Sequence, residues 1–241
     1  MTTITATTDH QPLACSHCNS RFESVFCKLK AEELEKIAES KSCVFYAKGQ
    51  TIFQEGAYPQ GLFCVNSGKI KLVKLGNQGK EQILRLSKGG DSLGYRSLLS
   101  NEPYAASAIT LEDSSVCFIP KDVFLNMMQR SNALTIEVMN LLTGDLAHAE
   151  KQITHIAQHS LRERVAESIL VLKETYGLED DGVTLAVTLT REDMANMVGT
   201  ATESVIRFLS EFKNDKMIEL DGKKIRILDI KRLTATANLD Y

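Results

Sequence analysis

The chain has no run of 18 apolar residues, no excess of positive charge and no recognisable catalytic loop, and each shortage removes a class of function. Without a long apolar run, no segment is expected to span a membrane. The first 14 residues, MTTITATTDHQPLA, lack a basic stretch followed by an apolar core, so no secretory leader is expected and the cytoplasm is the expected compartment. A formal net charge of −3 argues against binding nucleic acid by bulk electrostatics, and residues 182–241 balance nine basic against nine acidic side chains. Any nucleic-acid contact must then be local, with Lys213, Lys216, Lys223, Lys224, Arg226, Lys231 and Arg232 as candidates for phosphates. Gly89-Gly90-Asp91 is too short for a phosphate loop, the five histidines lack metalloprotease spacing, and no hydrolase or kinase motif is present, so no enzyme is expected. His148, His155 and His159 recur at roughly helical intervals and read as a solvated helix face.

At 241 residues, 43% hydrophobic and 24% charged, the chain is long enough for two small domains with real cores. Residues 188–216 carry the most informative pattern. Thr190, followed by Arg191, Glu192 and Asp193, is a capping signal that opens a short helix through Met197, and Gly199 ends it. Thr200 or Thr202 can cap a second helix running to about Lys213, which makes two helices joined by a short turn. At 100° per residue, Val205, Phe208, Leu209 and Phe212 share one arc, and Glu203, Ile206, Arg207 and Ser210 share the opposite one. One face packs and the other can read DNA: Arg207 can donate to guanine, Glu203 can accept from cytosine, and Ile206 can meet a thymine methyl. Residues 183–189 alternate like a strand, and residues 217–220 and 224–228 flank Asp221-Gly222 as a hairpin, giving a winged helix-turn-helix.

Upstream, residues 29–40 have helical spacing with Leu34 and Ile37 on one side. Between Cys43 and Pro120 seven short β-branched or alternating runs are separated by glycines, among them Gly49, Gly56, Gly61, Gly68 and Gly90, which predicts a small barrel or jelly roll. Residues 133–160 contain no proline and only Gly144, and form the longest predicted helix; residues 161–176 form another. Leu142, Leu146, Ala149, Ile153 and Ile156 repeat at spacings of four and three, the seam of a coiled coil or the stripe of a core-facing helix. The six cysteines suggest metal or redox chemistry rather than a disulfide framework. Cys15, Cys18 and Cys27 crowd the start as C-x2-C-x8-C, a spacing whose first pair can grip one metal centre from a single turn, and His17 could join them on zinc. Cys43 and Cys64 lie in strand-like runs, where a thiol acts as a small apolar group. A thiol-redox enzyme using Cys15 and Cys18 is the reading from a different class, but no strand precedes the pair as a thioredoxin-like site needs.

A glycine-rich β-roll, a long helix and a C-terminal winged helix, in that order, resemble the CRP/FNR family of bacterial transcription regulators over essentially the whole chain. Residues 48–56, 62–68 and Gly89-Gly90-Asp91 are similar to the family's β-roll, and Glu203 and Arg207 match its base-reading pair. The branch that binds cyclic AMP uses a Gly-Glu pair and then an Arg-Ser pair. Here Asp91 replaces the glutamate and Tyr104-Ala105 stand where Arg-Ser would, so cyclic AMP is not expected, although Arg96 could substitute. The FNR-like branch holds a 4Fe-4S cluster on three N-terminal cysteines and one late in the β-roll. That layout is present: Cys15, Cys18 and Cys27, with Cys117 in the segment resembling the distant ligand's. Eight residues separate Cys18 from Cys27 where the family has fewer, a longer loop that costs little closure entropy. Ile206 stands where FNR-like proteins carry serine, and Thr202 where CRP-like proteins carry arginine, so the outer half-site bases do not follow from the resemblance.

The expectation is an α+β protein: a cysteine-bearing segment (1–30), a cyclic-nucleotide-binding-like β-roll (31–131), a dimerisation helix (132–160) and a winged helix-turn-helix (161–241). The resemblance implies a homodimer on a palindromic operator, with Thr202, Glu203, Ile206, Arg207 and Ser210 at the DNA, RNA polymerase as a further partner, and oxygen or redox state as the signal. A regulator without metal, sensing an unknown small ligand, is the alternative.

Overall fold

A computed structural model describes residues 15, 18–76 and 79–238. His17 and the 14 residues on which the leader argument rests lie outside the described residues. Among the described residues, ten strands and eight α-helices follow the expected order.

The β-roll is two four-stranded antiparallel sheets. One has the order β1 (Ser42–Tyr46), β8 (Ser114–Pro120), β3 (Gly61–Ser67), β6 (Ser92–Leu93); the other β2 (Thr51–Phe53), β7 (Ser107–Thr110), β4 (Lys69–Leu75), β5 (Glu81–Lys88). Strand alternation decides what each face meets. Val65, Leu93 and Val116 of the first sheet join Phe53, Ile70, Ala108 and Tyr104 in a core between the sheets. Leu62 and Ile119 point to the other face. There they pack on α1 (Ala31–Ser40) through Leu34 and Ile37, on α2 (Tyr95–Ser100), on α3 (Lys121–Arg130) and on the start of α4 (Asn132–Gln158). Two glycines have distinct reasons. Gly68 turns the chain at φ 103°, and Gly61, expected in a turn, lies inside β3, where a Cβ would come within 2.2 Å of the Ile119 carbonyl oxygen.

The C-terminal domain comprises α5 (Leu161–Tyr176), α6 (Arg191–Val198), α7 (Thr202–Asn214), the hairpin β9 (Ile218–Asp221) and β10 (Lys224–Ile227), and α8 (Ile230–Thr236). Its core is built from Val165, Ile169, Met194, Val205, Leu209, Phe212, Ile218 and Ile225. Three local expectations are corrected. Residues 183–189 do not form a regular strand. Leu185, Val187 and Leu189 are buried, which accounts for the alternation, but the backbone bridges only at Leu178–Leu185 and Thr184–Arg226. Helix α7 is preceded by Ala201 rather than capped by Thr200 or Thr202, with no side-chain cap. His155 and His159 are not on a solvated face: their rings stack at 4.3 Å and face Glu167.

Candidate nucleic-acid interface and thiol cavity

The reading helix is positioned by its partner. Thr190 caps α6, its hydroxyl accepting from the Asp193 amide at 2.9 Å while the Asp193 carboxylate accepts from the Thr190 amide at 3.1 Å. Gly199 closes the helix in the left-handed region at φ 76°. The buried arc of α7, Val205, Leu209 and Phe212, then anchors it. Glu203, Ile206, Arg207 and Ser210 are exposed, with Ile206 at 48%, and Thr202 is half-buried in the first turn. The Arg207 guanidinium lies 4.5 Å from the Phe208 ring centroid, and the Ser210 hydroxyl donates to the Ile206 carbonyl at 2.8 Å, so Ser210 is already engaged.

The candidate phosphate-binding cations divide into two groups. Lys224 pairs with Glu179 at 2.8 Å, Arg226 with Glu219 at 2.5 Å, and Arg232 donates to the Asp215 carbonyl at 2.8 Å. Lys213, Lys216, Lys223 and Lys231 are exposed. Asp181 organises the approach to the wing. Hydrogen bonds from the Thr184 hydroxyl and the amides of Thr184 and Val183 hold its carboxyl down at about 2.

Along α4, Leu146, Ala149, Ile153 and Ile156 are exposed, with Ile153 at 68%, and Leu142 is half-buried. Met139, 60% exposed, extends the stripe one step towards the N-terminus. Five large apolar or small side chains in line on a solvent face are left uncovered by the described residues.

At the other end of the molecule the sheet register gathers sulfur. Cys43 and Cys64 flank Cys117 directly across β1, β8 and β3, so all three share the face that meets the helices. Cys43 and Cys117 form a disulfide across a Cα separation of 4.0 Å. This corrects the reading of Cys43 as a simple apolar filler: antiparallel neighbours on one face place their sulfurs within bonding reach. Cys15, Cys18, Cys64 and Cys117 line one cavity together with Phe26, Leu34, Ile37 and Ile119. Cys27 is half-buried and is not among its lining residues. Cys64 was missed because its strand gives an apolar reason for a thiol; only the register reveals its company. Burial pushes the Cys64 thiol up to about 12. The Cys18 thiol donates to the Asn66 side-chain carbonyl at 3.2 Å, and the Ser20 hydroxyl donates to the Asn66 backbone carbonyl at 2.6 Å, fixing the N-terminal segment on β3.

The positions compared with a cyclic-nucleotide site have other engagements. Tyr104 is buried and stacks on Phe53 at 4.0 Å, and burial pushes its hydroxyl up to about 12. Asp91 accepts from the Lys88 amide at 2.9 Å, and Arg96 is exposed.

Comparison with known proteins agrees with this architecture. Residues 43–131 match the cyclic nucleotide-binding domain model and residues 163–236 the Crp-like helix-turn-helix domain model. The chain is 30% identical to the anaerobic regulatory protein of Bacillus subtilis over 80% of this chain and 82% of that one. It is 26% identical to the fumarate and nitrate reduction regulatory protein of Vibrio cholerae over 92% and 91%. Its fold is similar to that of FixK2 from Bradyrhizobium japonicum, with a TM-score of 0.75 and 21% identity over 83% of this chain and 99% of that one. A CRP/FNR-family regulator from Thermus thermophilus superposes with a TM-score of 0.71 at 24% identity, over 82% and 99%. The chain is therefore a DNA-binding transcription regulator, not an enzyme, and belongs to the CRP/FNR family.

Proposed function

We propose that the protein is a homodimeric regulator of transcription that responds to oxygen or redox state through its N-terminal thiols, with an iron–sulfur cluster of the 4Fe-4S type as the group they hold. The observation that carries this reading is the convergence of Cys15, Cys18, Cys64 and Cys117 on one cavity. Sulfur from the N-terminal segment, β3 and β8 around an apolar pocket suits a cluster bound by thiolates. Relatives named for anaerobic regulation and for fumarate and nitrate reduction support the same signal.

When bound, such a cluster supplies a redox-active, oxygen-labile centre. Cys15, Cys18 and Cys117 are its ligands in this proposal. The family arrangement gives Cys27 the remaining place, and the cavity offers Cys64 for it. Ligation by Cys117 requires the reduced form, so the Cys43–Cys117 disulfide and cluster binding exclude each other. The N-terminal segment reaches the rest of the molecule through packing: Val25, Phe26 and Leu29 share a core with Leu134 and Val138 of α4, and Lys28 pairs with Glu137 at 2.5 Å. A thiol site that fixes this segment therefore also fixes the root of α4. Further along, Leu142, Leu146, Ala149, Ile153 and Ile156 form the dimer seam, and pairing of two long helices sets two α7 helices one DNA turn apart on a palindromic operator. RNA polymerase is the further partner of a regulator so placed.

The test is anaerobic purification with iron, sulfide and zinc analysis and visible absorbance, on the wild type and on serine variants of each cysteine. Iron and sulfide should be present and should be lost in Cys15→Ser, Cys18→Ser and Cys117→Ser but kept in Cys43→Ala. Comparison of Cys27→Ser with Cys64→Ser identifies the fourth ligand. Colourless protein with stoichiometric zinc would replace the cluster with a structural zinc site, and protein with neither metal would make the β-roll a sensor of a small ligand.

A further inference from the structure

The joint between the long helix and the DNA-binding domain is only two residues. His159 ends α4, with its amide donating to the His155 carbonyl at 2.9 Å, and Ser160 caps α5. Three ionisable side chains close over this joint. His155 Nδ1 lies 2.5 Å from Glu167 Oε1, and His159 Nδ1 lies 4.0 Å from Glu167 Oε2. The side chains of His155, His159 and Glu167 are 14%, 11% and 17% exposed. Their candidate ligand atoms lie within 4.8 Å of one another. The decisive detail is that His159 Nδ1 is buried with no hydrogen-bond partner among the described residues, a position that costs about 1–3 kcal/mol unless something occupies it.

We propose that His155, His159 and Glu167 form a site for a divalent transition metal of the zinc class, which locks α5 to the end of α4. Two neutral imidazoles and one carboxylate are a known kind of zinc donor set, with the fourth position left to water. Ligands at about 2.0–2.2 Å from a tetrahedral ion stand roughly 3.3 Å apart. His155 Nδ1 lies 2.5 Å from one Glu167 carboxylate oxygen and His159 Nδ1 lies 4.0 Å from the other, and one ligand atom from each of the three residues falls within 4.8 Å of the others, so the donors already stand near that spacing. The donors come from both helices, so the ion would fix the angle at which each reading domain leaves the dimer seam. Metal binding should then strengthen operator binding, because an orientation fixed beforehand need not be fixed on the DNA. His148, exposed on the same helix, takes no part. Magnesium and calcium, which prefer all-oxygen sites, should not compete.

The experiment uses the full chain and cobalt(II) as a spectroscopic probe, because the cysteine cavity can also take metal. Wild type should bind cobalt at a site showing ligand-field bands without thiolate charge transfer, displaced by zinc but not by magnesium. His159→Ala should weaken that site by at least the ~10–100-fold seen for loss of an outer-shell partner. Glu167→Gln, which keeps shape and hydrogen-bonding capacity, should do the same while the unfolding transition of the metal-free protein stays in place. Zinc should tighten operator binding of wild type and leave both variants unaffected. Equal cobalt binding by wild type and both variants, cobalt bound only with thiolate bands, or operator affinity indifferent to zinc in the wild type would each overturn the proposal.

Discussion

Lys71 of β4 donates to Asp193 of α6 at 2.6 Å, and the same carboxylate caps α6 by bonding Thr190. One half-buried acid thus serves the β-roll and the first helix of the reading motif together. Burial alone pushes the Asp193 carboxyl upward, but hydrogen bonds from Lys71 and Thr190 outweigh it and hold the group below its ordinary value. Tyr176, which donates to the Ser87 carbonyl at 3.3 Å, and Gln82, which donates to the Met197 carbonyl at 3.4 Å, reinforce the same contact. Lys71→Met should remove about 1.5–3 kcal/mol of stability, the range for a hydrogen bond to a charged group. It should also raise amide exchange in residues 190–199. Unchanged exchange there would mean that the ion pair does not hold the domains together.

Arg207 is exposed on α7, and in the proposed docking of that helix it is the side chain that donates to a guanine edge. Arg207→Ala should cost about 1–3 kcal/mol at the specific operator and far less on random DNA. Titrations against both at a fixed salt concentration measure the difference. Equal losses on the two would place Arg207 on a phosphate.

Ile153 stands in the middle of the uncovered stripe of α4. In a paired seam Ile153→Asp would bury a carboxylate among apolar side chains, a cost of several kcal/mol unless it is paired or protonated. Sedimentation should show monomers, with operator binding greatly reduced. A dimer of unchanged stability would move the interface elsewhere.

Asp181 gives a pH signature. Its folded value of about 2 lies below the unfolded value of about 3.9, so its contribution to stability is present above about pH 4 and is lost as pH falls towards 2. Asp181→Asn has no such titration. Urea midpoints of the two proteins should therefore differ at pH 7, and the gap should narrow steadily below about pH 4. A gap that stays constant across that window would show that the hydrogen bonds from Thr184 and Val183 do not favour the ionised form.

The sequence by itself determined most of what depends on neighbours along the chain, the start of α7 at Ala201 rather than at a threonine cap being an exception. The capping box at Thr190 and Asp193, the stop at Gly199 and the apolar arc of Val205, Phe208, Leu209 and Phe212 are local, and the structure has all of them, with Phe208 only partly buried against the core. The helix predicted over 161–176 has those same ends, because Ser160 caps it and Gly177 follows it. Alternation misled once, at residues 183–189, since burial of every second side chain does not require a neighbouring strand along the whole run. What only the tertiary structure decided is the company of residues far apart in the chain. Cys43, Cys64 and Cys117 are aligned by strand register, not by spacing. His155 and Glu167 meet because the chain turns sharply between two helices. Lys71 reaches Asp193 because one domain docks on the other. Periodicity records which face a residue occupies, whereas register and docking record what that face meets, and they are fixed by packing that no local stretch contains.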